Sequence, residues 1–255
     1  MSFHVIIPAR FNSSRMPGKV LVDIHGKPML QHVYEKAVDS GADSVIIATD
    51  DDRVAEAAKK FAAKVCMTSE DHTCGTERVA EAVEACDFDE EDIVINVQAD
   101  EPFMPPKVIQ SLAHEMEEQA HVKVGSVCSP LNNVEQLFNP NVVKVILNRR
   151  SNAMYFSRAP IPWDREQFMR DKNKIKLSEH TYFRHHGLYA YRAGFLTNFI
   201  DWQESPLEAL EKLEQLRILW HGGRIHMHVT DAVLPIDVNT EEDLEELLKT
   251  TSSDK

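Results

Sequence analysis

Short runs of contiguous apolar residues alternate with stretches in which apolar residues recur every three or four positions, and this alternation fills the first half of the chain. The runs at 5–8, 44–49, 64–67 and 92–98 have the length and β-branched content of strands buried on both faces. Between them, 28–38 carries Pro28 at its opening turn and Gly41 behind its end, the punctuation of a helix. A second helix is predicted over 51–63, where Asp51 and Asp52 complement the dipole, and a third over 76–86. A fourth follows Pro105-Pro106, with Val108, Ile109, Leu112 and Met116 on one face. Strands and helices taking turns in this way are the signature of βαβ units and a parallel sheet.

The regular alternation is lost in the second half. Strands are predicted at 123–128, 142–147, 182–191 and 225–229, with a short helix at 134–138. The stretch 165–179, rich in Asp, Lys and Arg, reads as a mobile loop. Leu207, Leu210, Leu213, Leu216 and Leu219 predict one amphipathic helix over 206–220, and a final helix from Thr240 leads to a polar tail. There is no internal repeat. The fold class is α/β: a Rossmann-like, mostly parallel sheet flanked by helices, with an irregular insertion in the second half.

Composition narrows this picture. A chain of 255 residues can bury one continuous core, or a main domain with a subdomain inserted in it. No apolar run approaches the length of a membrane span, and the N-terminus passes straight into a strand, so a cytoplasmic protein without membrane contact is expected. The net charge of -13 argues against nucleic acid as a partner. Four cysteines without a C-x-x-C pair support neither a zinc ribbon nor a disulfide framework, and reduced, mostly buried thiols are expected.

Against that acidic background, Arg10, Arg15 and Lys19 with the hydroxyls of Ser13 and Ser14 are crowded into the loop behind the first strand. Ligands of open α/β sheets bind outside the carboxyl ends of strands, where a polyanion would meet these cations. The loop matches neither the Walker nor the dinucleotide glycine pattern, so side chains must hold any phosphate. A solvated surface loop is the alternative. The run 92–98 ends in Gln98-Ala99-Asp100-Glu101-Pro102, at the same sheet edge; Asp100 suits Mg²⁺ on a phosphate-bearing ligand, and an acidic turn closed by Pro102 is the plainer reading. His226 and His228 put two imidazoles on one strand face, but without a third ligand nearby in sequence they read as structural.

Taken in order, Pro8-Ala9-Arg10 with Ser13, Arg15 and Pro17-Gly18-Lys19, then Gly75-Thr76-Glu77-Arg78, Gln98-x-Asp100-Glu101-Pro102, Phe138-Asn139-Pro140-Asn141, Tyr155-Phe156-Ser157-Arg158, Arg184-His185-x-Gly187-x-Tyr189-x-Tyr191-Arg192 and Leu213-Glu214-Gln215-Leu216-Arg217 resemble the 3-deoxy-manno-octulosonate (Kdo) cytidylyltransferases. The resemblance covers nearly the whole chain. It implies a single nucleotidyltransferase domain over 1–255, in which roughly 130–195 forms a sugar-binding and dimerisation subdomain, and a homodimer. It also implies transfer of CMP from CTP to the anomeric hydroxyl of an eight-carbon ulosonic acid, for lipopolysaccharide biosynthesis. By carry-over, Pro8, Ala9, Arg10, Ser13, Arg15 and Lys19 border the CTP phosphates, Cys74, Gly75 and Arg78 the cytosine or ribose, and Gln98 the ribose. Arg10, Lys19 and Asp100 carry catalysis. Arg158, His185, Tyr189, Glu214 and Gln215 line the sugar pocket, with Arg158 the partner of the ulosonate carboxylate.

Departures from the family pattern include Cys74 for a serine, His186 for an apolar residue, and Asn239 where a second metal carboxylate is usual, with Asp237 as a substitute. His186 suggests an acceptor bearing an amino group, 8-amino-3,8-dideoxy-manno-octulosonate. A non-catalytic nucleotide sensor and a cytidylyltransferase for another ulosonic acid, such as a neuraminic acid, are the remaining alternatives.

Overall fold

The computed structural model describes residues 2–12, 16–72, 74–169, 175–178, 181–234, 238 and 240–251. In chain order its elements are β1 (His4–Pro8), a 3₁₀ turn (Lys19–Leu21), β2 (Asp23–Ile24), β3 (Lys27–Pro28), α1 (Met29–Asp39), β4 (Ser44–Thr49), α2 (Asp52–Lys60), β5 (Lys64–Met67), α3 (Gly75–Ala85), β6 (Ile93–Asn96) and α4 (Pro106–Glu118). There follow β7 (Val124–Pro130), α5 (Val134–Phe138), β8 (Lys144–Leu147), β9 (Ala153–Ser157), β10 (Phe183–Arg192), α6 (Ala193–Ile200), α7 (Pro206–Glu211), α8 (Leu216–Trp220), β11 (His226–Val229) and α9 (Glu241–Thr251).

One mixed sheet runs through the molecule in the order β11-β7-β10-β6-β1-β4-β5. β6, β1, β4 and β5 are mutually parallel, as the strand and helix alternation predicts. β10 then enters antiparallel to both β6 and β7, and its outer end carries the β8–β9 pair beyond the main sheet. Residues alternate between the two faces: Val5, Ile7, Ile47 and Ile95 join the core under α1, α2 and α4, whereas Ile6, Ile46 and Val94 join the core under α3 and α6. Both faces are therefore buried, and the strands read as unbroken apolar runs. A smaller cluster of Leu131, Leu137, Val142, Phe168, Ile175 and Tyr182 closes the insertion.

Two expectations change, and the structural reading of His226 and His228 holds. The leucine row over 206–220 forms two short helices, because Lys212 takes a left-handed φ of 53° and ends α7; Leu210 is left exposed. Glu208 and Arg217 lock the break by a double hydrogen bond at 2.6 and 2.9 Å. Of the four cysteines, all free, only Cys128 is fully buried. His226 and His228 both bond the Glu115 carboxylate, at 3.1 and 2.7 Å, and tie β11 to α4. Against the cost of burial, those two bonds hold the Glu115 pKa down to about 2. The segment 165–179 lies partly outside the described residues. No described helix is long and apolar enough to cross a membrane.

Candidate active site

β1 and β6 are neighbours at the point where the strand order reverses, so the segments that follow them open onto one crevice. Gly18, at φ 74°, turns the first segment back: its N–H donates to the Phe11 carbonyl at 2.8 Å, and Lys19 begins the 3₁₀ turn behind it. Phe11 closes this turn and carries the Arg53 guanidinium 3.4 Å above its ring. The result is a buried Lys19 ammonium paired with Asp100 Oδ2 at 2.7 Å.

A cavity of about 310 Å³ covers that pair, lined by Pro8, Arg10, Asn12, Lys19, Cys74, Gly75, Gln98 and Asp100 among others. Arg10 crosses it and donates to the carbonyls of His72 and Cys74, the latter at 3.2 Å. Gly75 is the first residue of α3; a capping box between Cys74 and Glu77 takes the Glu77 N–H, and the remaining first-turn N–H groups and the helix dipole favour an anion here. Ala9 is buried beneath, its N–H bonded to the Ala48 carbonyl at 2.8 Å. Arg78 stands behind the wall, fully buried, its guanidinium committed to Asp50 at 2.8 Å and to Thr68. Ser13 and Arg15 lie outside the described residues.

Asp100 is the one carboxylate among the described residues that line this cavity. A hard divalent cation arriving on a triphosphate takes one or two protein carboxylates and completes its shell with phosphate oxygens and water, so this donor set fits Mg²⁺ on a nucleotide. Asp237 and Asn239 lie outside the described residues; Val238, between them in sequence, donates its N–H to the Asp100 carbonyl at 3.0 Å. Among the described residues no group of three His, Cys, Asp or Glu side chains forms a metal cage.

A second cavity, of about 340 Å³, shares Gln98 and Asp100 with the first. β10 supplies Arg184, His185, Tyr189 and Tyr191 to its wall, α3 supplies Thr76, and the break between α7 and α8 supplies Glu214 and Gln215. Burial raises the Glu214 pKa, against hydrogen bonds from Thr76 and from the Cys74 thiol, whose sulfur lies 3.2 Å from Glu214 Oε1. Burial also raises the Cys74 pKa, so sulfur acts as a donor and not as a thiolate. Gln215 Nε2 is buried with no hydrogen-bond partner among the described residues, a donor left for whatever fills the cavity.

His185 is neutral here, because burial and then the neighbouring His186 and Arg184 push its pKa down to about 3. Its tautomer follows from Ser126: that hydroxyl gives its proton to the Leu188 carbonyl at 2.9 Å and so accepts at 2.9 Å from His185 Nε2–H. Nδ1 is left as an acceptor. An imidazole so weakly basic orients a hydroxyl; it does not take up a proton near neutrality. His186 faces a different cavity, where Ser129 bonds it at 2.8 Å and burial holds its pKa near about 3, so it gives no support to recognition of an amino group beside His185.

Arg158 is not in the lining. Its Nε donates to the Glu211 carbonyl at 2.7 Å and its Nη1 to the Pro140 carbonyl at 3.0 Å, while Glu211 receives Ser157 Oγ and the Arg158 N–H. Lys144, buried completely, gives its three protons to the carbonyls of Asn139, Val142 and Arg158 at 2.9, 2.6 and 2.5 Å. The two cations thus brace the wall that presents Asn141 and Val143 to the cavity. Thr76, Asn141, Arg184 and Tyr191, given no role from the sequence, also line it; each stands inside a motif quoted above, which is the only signal the sequence carried for them.

A family model described as cytidylyltransferase matches residues 4–225. A 3-deoxy-manno-octulosonate cytidylyltransferase of Coxiella burnetii is 56% identical over 96% of this chain and 98% of its own length. A protein of the same name from Idiomarina loihiensis is 51% identical over 98% of each. Among solved structures, CMP:2-keto-3-deoxy-manno-octonic acid synthetase complexed with CTP matches with a TM-score of 0.89 and 38% identity, covering 100% of both chains. A cytidylyltransferase from Leptospira borgpetersenii, at 16% identity and a TM-score of 0.64 over 99% of this chain and 87% of its own, shares the fold.

Proposed function

The chain belongs to the cytidylyltransferase family, and from that premise we propose that it couples CTP to 3-deoxy-manno-octulosonate, releasing pyrophosphate and giving the CMP-activated sugar. It is a nucleotidyltransferase, and its product supplies lipopolysaccharide biosynthesis. The observation that carries this reading is the pair of cavities meeting at Gln98 and Asp100: a cationic one with a helix N-terminus at its edge, and a polar one rich in hydrogen-bonding groups. Full-length likeness to enzymes named for this acceptor favours it over a neuraminic acid, a neutral sugar phosphate or a sensor without an acceptor site.

In the reaction the anomeric hydroxyl attacks the α-phosphorus of CTP in line and gives up its proton to water, the new P–O bond forms, and the bond to the β-phosphate bridging oxygen breaks. No covalent bond to the protein is required, so catalysis is positioning and charge stabilisation. Arg10 and Lys19 hold the phosphates, and Lys19 neutralises the leaving pyrophosphate. Gln98 takes the ribose, and Glu214, Gln215, Tyr189 and His185 Nδ1 take acceptor hydroxyls. Asp100, with Asp237 or Asn239 as a second ligand, would hold Mg²⁺, which when bound supplies further neutralisation along the phosphates. Residues 130–195 would form the dimerisation subdomain, on which Met154 and Trp163 are exposed apolar side chains.

A panel of the four nucleoside triphosphates against Kdo, its 8-amino analogue and a neuraminic acid tests the reading by pyrophosphate release. Release is expected with CTP and Kdo together. Tight CTP binding with no release under any pairing would leave only the sensor, and preference for another acid would move the acceptor.

A further inference from the structure

Two of the four thiols meet away from both cavities. β5 runs parallel to β4 with Cys66 in register with Ala48, and Ala48 belongs to the core under α3. In-register neighbours share a face of the sheet, so Cys66 also points at α3. Two residues on, Thr68 accepts the Arg78 guanidinium of that helix. Ala82 and Cys86 follow Arg78 at four-residue steps and continue its stripe along α3. Helical side chains lean back toward the start of the helix, which carries the Cys86 sulfur over β5, where its thiol hydrogen-bonds that of Cys66.

Both residues are half-buried, and Cys66 Sγ lies at the solvent edge, 3.8 Å from the Met67 carbonyl oxygen. The other two thiols stand apart: Cys74 is committed to Glu214, and Cys128 is buried completely. Between Cys66 and Cys86 the chain carries the His72 and Cys74 carbonyls that receive Arg10, and Gly75 at the edge of the phosphate-side cavity. A covalent link between the two sulfurs closes that segment into a loop and restricts it, as a disulfide restricts any chain it spans.

We propose that Cys66 and Cys86 are a modification site: a low-molecular-weight disulfide oxidises them to a reversible disulfide that braces α3 on β5. The Cys66 thiolate attacks one sulfur of glutathione disulfide, whose S–S bond breaks and releases one glutathione thiolate. The Cys86 thiolate then attacks the Cys66 sulfur and releases the second. The two cysteines lose two electrons, and their two protons end on the two glutathiones. Burial, and then Cys86 and Glu81, hold the Cys66 pKa up at about 11, so the thiolate is scarce near neutrality and the rate of closure should rise roughly tenfold per pH unit there. The full-length protein is incubated with glutathione disulfide, alkylated, and digested with trypsin without reduction. Cys66 and Cys74 share one tryptic peptide, so fragment ions place the link. A bond between Cys66 and Cys86 is expected, reversed by dithiothreitol, with Cys74 and Cys128 alkylated and the urea midpoint of the oxidised protein raised. Cys86→Ala should instead retain glutathione on Cys66. A wild type that stops at that mixed disulfide, a link that involves Cys74 or forms only in urea, or a midpoint that falls on oxidation overturns the proposal.

Discussion

The phosphate-side cavity and the acceptor cavity share two residues but are built by opposite means. The first is assembled from strand ends of the parallel half, and its charged groups face the crevice: Lys19 on Asp100, Arg10 across the mouth, α3 at the edge. The second hangs on the antiparallel β10, and the cations behind its wall hold backbone or a buried carboxylate. Lys144 and Arg158 are engaged by carbonyls, and Arg217 by Glu208. The cations of the first side therefore face the ligand, and those behind the wall of the second are consumed in keeping shape. Substitutions should divide accordingly, into those that cost turnover and those that cost stability.

The largest effect should come from Lys19→Ala. Loss of a preorganised donor at the leaving group should cut kcat by roughly 10²- to 10³-fold, about 3–4 kcal/mol of transition-state stabilisation. The melting temperature should change little, because Asp100 keeps partial access to water. A variant that melts early and retains its turnover per folded molecule would place Lys19 with the structural cations and break the division.

Lys144→Met should do the reverse. Three carbonyls lose this donor; the Val142 carbonyl bond is buried, the other two are partly buried and Asn139 keeps the Val142 N–H, so the loss is about 1–3 kcal/mol of stability. Urea unfolding reads this directly, and kcat below the transition should stay close to wild type. A kcat loss comparable to that of Lys19→Ala would put Lys144 in the chemistry.

The same division explains what could be read from the chain. β4, β5 and α5 fall where the apolar pattern puts them, and the phosphate corner follows because its residues sit directly behind strand ends. The hairpin of β2 and β3, β9 and α6 were not legible. β9 is five residues long and pairs along its length only with β8, and α6 is apolar nearly all round and continues the run of β10. The broken leucine row misleads because the break depends on one backbone angle at Lys212 and on a pair, Glu208 with Arg217, that spans it. Arg158 was readable as a cation near the sugar, but its place behind the wall depends on carbonyls brought together only by folding.

His186→Ile should give the smallest effect and the finest test. Burial depresses the His186 pKa from its ordinary value to about 3, so between those two values the unfolded chain carries a proton there that the folded chain does not. Stability linked to this group is fully present above the unfolded pKa and is lost as pH falls toward the folded one. His185 behaves alike, so wild type should lose stability on acidification with two imidazoles contributing and the variant with one. From pH 7 to 6 the two proteins should diverge by less than about 1 kcal/mol, and further below that. Urea midpoints at stepped pH measure the divergence. Its sign is fixed: the variant must be the less acid-sensitive of the two. The pH profile of kcat should be the same for both, since His186 faces the other cavity. If that profile moves with the substitution, the imidazole participates in turnover, and His186 is not the structural side chain that its bond to Ser129 describes.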